Sequence, residues 1–220
     1  MGTVNLLEVC REFDGNLPIL VISSDKCYRN DDDERGFEVG DPLGGHDPYS
    51  ASKAGTELVV GAYASSFFKN PGDPLLASAR AGNVVGGGDW SVDRLLPDGA
   101  RAFSSGKSLF LRNPLATRPW QHVIEPLYGY LMLVEAMSVD RSFSGSWNFG
   151  PTTLSNRTVG SIAQMFADRW GENATIKITT REQDWSEART LNLNCEKTYE
   201  TLGWRPALDL QTTLNWTADW

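Results

Sequence analysis

The order of the elements that this sequence predicts constrains its fold more than any other feature. An apolar strand over residues 17–22 runs into a polar segment, residues 23–26. Asp47 and Pro48 predict the start of a long helix, because Asp is a favoured N-cap and Pro a favoured first helical residue. A second apolar strand follows at residues 75–79. A strand, a helix and a strand in this order favour a parallel α/β sheet, which binds its ligands beyond the carboxyl ends of its strands.

Tyr49 and Lys53 have a Tyr-x-x-x-Lys spacing on the predicted helix. Residues four apart share a helix face, so the phenol and the ammonium point the same way. Tyrosine ordinarily ionises at about pH 10, and a nearby positive charge favours its phenolate. Tyr49 is therefore a candidate base, with Lys53 supplying the charge and Ser24 holding the substrate oxygen. Such a pair is also common on exposed helix surfaces, but its position after a strand ending in Ser24 favours catalysis.

Composition restricts the class of partner. The 220 residues, 40% of them hydrophobic, can build one large domain or two small ones. A net charge of −8 disfavours a nucleic-acid partner, although a local basic pocket for a diphosphate stays open. No apolar run has the length of a membrane span, so we expect no membrane partner. Three scattered cysteines match neither a disulfide framework nor a metal cluster, so we expect no metal and a reducing, cytoplasmic setting.

Residues Ser24, Tyr49 and Lys53 together resemble the catalytic trio of the short-chain dehydrogenase/reductase superfamily, in its extended branch that acts on nucleotide sugars. Three segments resemble the CDP-glucose 4,6-dehydratases in particular: residues 41–53 (DPLGGHDPYSASK), 80–90 (RAGNVVGGGDW) and 112–123 (RNPLATRPWQHV). The resemblance extends over essentially the whole chain. A dinucleotide fold also needs a first strand, a Gly-rich turn and a following acidic residue, and none of these is found here. We therefore expect a chain without the N-terminal half-sheet of a usual member.

The resemblance implies an NAD-dependent dehydration of CDP-glucose to CDP-4-dehydro-6-deoxyglucose. The hexose is oxidised at C4, water leaves across C5 and C6, and the hydride returns to C6. A carbonyl at C4 acidifies the C5 proton, so the elimination needs a base near C5 and an acid near the C6 hydroxyl. Asp25 and Lys26 occupy the family's elimination positions. Asp25 is the expected proton donor, and Lys26, where many relatives have Glu, is the candidate base.

The resemblance also assigns the binding residues. We expect Ser23, Tyr49 and Lys53 to contact NAD. The expected substrate contacts are Asn83, Arg94, Arg112 and Arg118. Among these, Asn83 and Arg118 are expected at the diphosphate, where planar guanidinium donors match phosphate oxygens.

The resulting prediction is an α/β protein that contains the C-terminal part of a Rossmann-type parallel sheet and a small mixed α/β substrate-binding cap. Residues 1–105 are expected to form the partial dinucleotide-binding domain. Residues 106–220 are expected to be mostly cap, with segments that return to the sheet. The parent enzyme is expected to be a homo-oligomer, and this chain alone is expected to be inactive. The alternatives are another nucleotide-sugar dehydratase or epimerase of the extended branch, or a non-catalytic remnant that binds a sugar nucleotide.

Overall fold

The computed structural model describes residues 1–31, 35–152, 156–179 and 190–220. Its helices are α1 (Gly2–Cys10), α2 (Pro48–Ser66), α3 (Leu95–Ser104), α4 (Ile124–Val139), α5 (Val159–Trp170) and α6 (Leu210–Asp219). Its strands are β1 (Pro18–Ile22), β2 (Leu75–Ala81), β3 (Asn83–Val85), β4 (Ser108–Leu111), β5 (Thr117–His122), β6 (Gly145–Phe149), β7 (Asn156–Thr158) and β8 (Thr175–Ile178).

The main sheet has three parallel strands in the order β1-β2-β6. The register places Ile22 beside Ala79 and Ala81 beside Phe149, so the carboxyl ends of the three strands meet at one edge. The central strand β2 is buried along its whole length, because helices cover both faces of the sheet. The predicted α/β class and the parallel sheet are confirmed.

Side chains alternate between the two faces of this sheet, as the period of a strand requires. On one face, Leu76 packs with Leu7 of α1 and Val60 of α2. On the other face, Ala77 packs with Leu133 of α4 and with Trp147 of β6. Helix α2, which carries the Tyr-x-x-x-Lys pair, is thereby fixed against one side of β1 and β2.

The remaining strands form smaller sheets. Strand β5 pairs parallel with β3 and antiparallel with β7, and β4 pairs parallel with β8. Helices α3, α5 and α6 surround these strands, and Leu109, Phe166 and Leu214 are buried among them. This is a mixed α/β arrangement of the kind expected for a cap. The boundary at residues 105 and 106 stays a prediction.

Most predicted elements are present, and some were wrong or missed. The glycines of residues 80–90 indicate a loop, but this segment contains the end of β2 and all of β3. The apolar residues 191–193 indicate a short strand, but among them only Leu193 pairs, in an isolated bridge with Phe37. Strands β5 and β7 and helix α6 were not predicted. No helix in the described part of the chain combines the length and the apolar character needed to cross a bilayer.

Candidate active site

The carboxyl end of β1 leads into a tight 3-10 turn, Asp25–Cys27. Ser24 caps this turn, because its Oγ accepts a hydrogen bond from the Lys26 amide at 3.2 Å. The same Oγ donates to Asp25 Oδ1 at 3.0 Å. The Ser23 amide donates to the Ala79 carbonyl at 2.8 Å, while the Ser23 hydroxyl is buried without a hydrogen-bond partner among the described residues. The predicted serine and acid therefore lie on one rigid turn.

Asp25 is the most unusual titratable group of this turn. Only 2% of its surface is exposed, and its Oδ2 atom is buried without a hydrogen-bond partner in the ranges that the structure describes. Burial raises the pKa of Asp25 to about 6, against opposing contributions from Lys26, Ser24 and Arg118. The backbone of Gly82 passes close to this carboxyl, since a Cβ built there would lie 3.1 Å from Oδ2. Asp25 is thus a carboxyl that can carry a proton near neutral pH.

Helix α2 begins at the turn that the sequence predicts. The Asp47 carboxylate accepts hydrogen bonds from the amides of Tyr49 (2.9 Å) and Ser50 (3.0 Å), and Pro48 is the first helical residue. Lys53 Nζ lies 5.8 Å from the centroid of the Tyr49 ring, which confirms that the two side chains share a face. Tyr49 is 50% exposed, so its ring remains accessible to a ligand.

Helix α2 packs directly against the 3-10 turn. The positive charge of Lys26 acts on a carboxyl of each element, Asp25 on the turn and Asp47 at the start of α2. Hydrogen bonds from Ser50 lower the pKa of Asp47 most strongly, and the positive charge of Lys26 lowers it further. The same charge opposes the raised pKa of Asp25. The structure therefore brings Ser24, Asp25 and Lys26 to the N-terminal end of the helix that carries Tyr49 and Lys53.

The four predicted substrate residues fall into two groups. Arg118 is 3% exposed, donates from Nη1 to the Thr117 carbonyl at 2.8 Å, and lowers the pKa of Asp25 through its charge. Asn83, partly buried, begins β3 next to β5. Arg94 and Arg112, in contrast, are exposed. The first pair lies on the strands behind the acid, and the second pair faces solvent.

The exposed pair comes from two segments that contact each other. Arg112 directly follows β4, and its Nη1 lies 3.5 Å from Oδ1 of Asp93, in the segment before α3 that also contains Arg94. Asp93 has a positive φ of 60°, a conformation that is uncommon outside glycine and asparagine or aspartate. The preceding residues, Gly86 to Trp90, line a cavity of about 300 Å³ together with Pro97 and Trp220. This volume is at the lower end of the range for ligand sites.

Trp120 and Arg80, which belong to the segments that resemble the dehydratases, both make contacts inside the protein. Trp120 is buried and donates from Nε1 to the Arg157 carbonyl at 3.1 Å, so it packs in the core. Arg80 pairs with a carboxylate, Glu57, with 2.6 Å between Nη2 and Oε2. Sequence reasoning missed Glu57 and its neighbour Tyr28. The available signal was the position of Glu57, four residues after Lys53 and therefore on the same face of α2.

The family model described as GDP-mannose 4,6 dehydratase matches residues 1–217 of the chain. The chain belongs to this family. The CDP-glucose 4,6-dehydratase of Salmonella typhimurium is 43% identical over 227 residues, which cover 100% of this chain and 62% of that protein. The chain is therefore a relative of CDP-glucose 4,6-dehydratase in the extended nucleotide-sugar dehydratase and epimerase family, and it is shorter than that relative.

Several solved structures share the fold of this chain. The dTDP-glucose 4,6-dehydratase of Bacillus anthracis, solved in complex with NAD, superposes with a TM-score of 0.83 at 22% identity, over 100% of this chain and 66% of that one. The UDP-glucuronic acid 4-epimerase of Bacillus cereus, solved with UDP-glucuronic acid and NAD, has a TM-score of 0.84 at 17% identity, over 99% of this chain and 65% of that one. At these identities the likeness concerns the fold alone.

The residues present fit one end of the cofactor that these relatives bind. The buried, unpartnered hydroxyl of Ser23 and the Tyr49–Lys53 pair offer hydrogen-bonding groups at the carboxyl end of β1, where α/β sheets hold such ligands. The Gly-rich turn that contacts the pyrophosphate of a dinucleotide is not in this sequence.

Proposed function

We propose that this chain carries the chemical and sugar-nucleotide-binding groups of an NAD-dependent CDP-glucose 4,6-dehydratase. The observation that supports this most strongly is Asp25, a buried carboxyl with a pKa of about 6, which is held by Ser24 and lies against the helix of Tyr49 and Lys53. The 43% identity to the Salmonella enzyme supports the choice of substrate. Because the chain spans 62% of that enzyme's length, the activity of the whole protein is part of the proposal.

The first chemical step needs a base at the C4 hydroxyl. Tyr49 takes this proton, Lys53 stabilises the phenolate by its positive charge, and Ser24 holds the substrate oxygen by a hydrogen bond. Ser23, Tyr49 and Lys53 are also the proposed contacts of the cofactor. When bound, NAD+ supplies the acceptor for the C4 hydride and the donor that returns it to C6.

The second step is the loss of water, which needs an acid and a base at once. A neutral Asp25 gives its proton to the C6 hydroxyl, which leaves as water, while the C5 proton goes to a base, for which Lys26 is the candidate. The new carbonyl at C4 stabilises the charge that develops when the C5 proton leaves. The pKa of about 6 suits this role, because a proton donor works best when its pKa is close to the operating pH.

The arginines hold the sugar nucleotide. Arg118 and Asn83, which lie next to Asp25, are the proposed diphosphate contacts, and the exposed Arg94 and Arg112 are proposed to bind the nucleotide at the loop before α3. In this proposal residues 106–220 form most of the substrate cap over residues 1–105. The parent protein is proposed to be a homo-oligomer in the cytoplasm, and the burial of all three cysteines as free thiols is compatible with a reducing compartment.

Two alternatives have their own support. Several solved structures with this fold are epimerases. The adjacent Asp25 and Lys26 favour a dehydratase, because an epimerase has no elimination step that needs an acid and a base. A non-catalytic chain that only binds a sugar nucleotide is compatible with the coverage of 62% of the Salmonella enzyme.

The test uses two proteins. One is the chain as it stands, and the other, called the extended protein, is the same chain preceded by the part of the Salmonella enzyme that lies N-terminal to the matched region. Each is incubated with CDP-glucose and NAD+, and the product is identified by mass spectrometry and NMR. We expect the extended protein to form the 4-keto-6-deoxy product by loss of one water, and its Tyr49→Phe variant to form none.

Three results separate the alternatives. An epimer of the substrate identifies an epimerase. Binding of CDP-glucose without turnover by the folded, NAD-loaded extended protein identifies a binding remnant. Turnover of another sugar nucleotide in preference to CDP-glucose corrects the substrate and retains the dehydratase.

A further inference from the structure

A buried ion pair connects the helix of the candidate site with the main sheet. Arg80 Nη2 on β2 and Glu57 Oε2 on α2 lie 2.6 Å apart, with side chains only 3% and 1% exposed. Burial lowers the pKa of Arg80, but the hydrogen bond to Glu57 and the electrostatic interactions with Tyr28, Glu57 and Cys27 together outweigh it and raise the pKa above its ordinary value. Glu57 Oε2 also accepts a hydrogen bond from Ser78 Oγ at 2.8 Å. The guanidinium therefore stays charged inside the protein, and its contact with Glu57 holds α2 at one position along β2.

The other amino group of the Arg80 guanidinium contacts the residue that follows the turn of Asp25. Arg80 Nη1 donates to the Tyr28 hydroxyl at 2.8 Å and to the Val39 carbonyl at 3.0 Å. Tyr28 directly follows the turn Asp25–Cys27, and its own hydroxyl donates to Asn148 Oδ1 on β6 at 2.7 Å. Phe37 stacks on the Tyr28 ring with 5.0 Å between centroids. The end of the turn is thus fixed by groups from β2 and β6.

The two amino groups of Arg80 connect the helix that carries the proposed base with the turn that carries the proposed acid. Glu57 lies one helical turn beyond Lys53, on the face that also carries Tyr49. Tyr28 is separated from Asp25 by two residues. One planar guanidinium, with donors in a fixed geometry, therefore sets the position of Tyr49 and Lys53 relative to Ser24 and Asp25.

We propose that Glu57 and Arg80 are positioning residues, which align the base on α2 with the hydroxyl and the acid on the turn. Neither group touches the substrate. The catalytic part of this inference rests on the proposed function, whereas the alignment itself does not. Alignment matters because a displacement of about 1 Å in a reacting group can cost about 100-fold in rate.

The experiment compares Glu57→Gln and Arg80→Lys with a matched control, Glu125→Gln. Gln keeps the size of Glu57 and removes its charge. Lys keeps the charge beside Glu57 but has its donors on a single nitrogen, so it lacks the rigid fork that fixes Glu57 and Tyr28 relative to each other. Glu125 is equally buried and accepts hydrogen bonds from the amides of Ala207 and Leu208 at 2.6 to 3.1 Å, at a place that joins α4 to the chain before α6.

The first readout is hydrogen exchange of the chain itself, measured by mass spectrometry well below the melting temperature of each variant. In Glu57→Gln we expect faster exchange in peptides that cover residues 24–31 and 47–57 together. In Arg80→Lys we expect faster exchange at residues 24–31, while residues 47–57 stay protected. Glu125→Gln is expected to change neither. Faster exchange confined to residue 57 and its contact on β2 would overturn the proposal, and so would an equal effect in the control. If Glu57→Gln does not fold, the exchange pattern of Arg80→Lys tests the proposal instead.

The second readout is steady-state kinetics in the extended protein that carries the missing segment. We expect kcat to fall by about 10- to 100-fold in both variants with little change in KM, because alignment affects the reacting groups and not the nucleotide contacts. The control is expected to keep both constants. A rise of KM at constant kcat would contradict positioning. If no protein, including the parent, forms product, the proposed function fails, and the exchange pattern still decides whether the ion pair aligns the two elements.

Discussion

The residues expected to act on one ligand lie in two regions of this molecule, of which one is buried and the other is exposed. At the end of β1, Asp25 is 2% exposed and is held by Ser24 and by packing against α2. In the second region, Arg94 in the loop before α3 and Arg112 directly after β4 are exposed, and Arg112 lies 3.5 Å from Asp93. A buried group has its ionisation set by the protein, whereas an exposed charge is set mostly by solvent and salt.

The difference indicates a division of tasks. The rigid, buried region fixes protonation and geometry before any ligand arrives, which is what proton transfer requires. The exposed, charged region is the proposed contact of the nucleotide, which it would bind through its charges. Substitutions in the first region should therefore change rates and pH dependence, and those in the second should change affinity and salt dependence.

The largest expected effect is that of Asp25→Asn on turnover. Asn cannot donate a proton to the leaving hydroxyl, so we expect kcat of the extended protein to fall by about 10²- to 10⁴-fold, the usual contribution of a general acid. Product formation is measured by mass spectrometry. The control is Asp31→Asn, because Asp31 is an exposed carboxylate that pairs with Arg29. Full activity of Asp25→Asn would show that another group donates the proton.

The second effect is on stability and needs no cofactor. The pKa of Asp25 is raised in the folded state to about 6, so its contribution to stability is fully present below the unfolded pKa and is lost as the pH rises through about 6. Asp25→Asn removes this dependence. Between pH 4 and pH 7 the unfolding free energy of the parent should fall by about 2 kcal/mol relative to the variant.

Urea unfolding at several pH values checks this second prediction. The Asp31→Asn variant is the control, since an exposed carboxylate should leave the parent's pH profile unchanged. Parallel profiles for the parent and Asp25→Asn would mean that the carboxyl is not perturbed by burial.

The third effect concerns the backbone behind the acid. In Gly82→Ala the new Cβ would lie 2.6 Å from Pro119 Cγ and 3.1 Å from Asp25 Oδ2, so the strand or the carboxyl must move. We expect a loss of about 1 to 3 kcal/mol in unfolding free energy, the usual cost of overpacking. Gly55→Ala on α2 is the matched control, because no described atom lies within 4 Å of its added Cβ.

The two glycine variants should change the unfolding free energy in opposite directions. Gly55→Ala should stabilise the chain by up to about 1 kcal/mol, because Ala is the better helix former. Thermal unfolding of both variants provides the comparison. A Gly82→Ala protein as stable as its parent would show that the carboxyl has room to move.

The smallest effect is expected in the open region. Arg112→Ala should raise KM for CDP-glucose by a few fold with kcat unchanged, since an exposed charge contributes about 0.2 to 1 kcal/mol. The difference from the parent should shrink as salt is added. Steady-state kinetics at two salt concentrations measure it. A fall in kcat without a change in KM would place Arg112 with the first region.

The sequence predicted the local parts of this structure well. Asp47, Pro48 and the four-residue spacing of Tyr49 and Lys53 are short-range signals, and the observed cap and shared face confirm them. Strand β5 was missed because its sequence, TRPWQH, contains polar residues and a proline and lacks the alternation of a strand. Strand β7 has only three residues, too few for a periodic pattern.

The long-range parts could not be predicted from one sequence. Tyr28 and Asn148, which share a hydrogen bond, are 120 residues apart, and Arg80 and Glu57 meet only because α2 packs on β2. The Asp25 carboxyl likewise lies close to Gly82, which is far along the chain, between β2 and β3. Resemblance to a family supplied the identity of the acid, while its environment came only from the three-dimensional structure.

The most direct test is the pKa of the Asp25 carboxyl, measured by NMR titration of the ¹³C-labelled chain with Asp25→Asn to assign the signal. The account predicts a pKa of about 6, set by burial at the end of β1. A value at the ordinary aspartate pKa of about 3.9 would mean that the carboxyl is charged and solvated at neutral pH. It would then have no proton to give, and the proposed elimination would lose its acid.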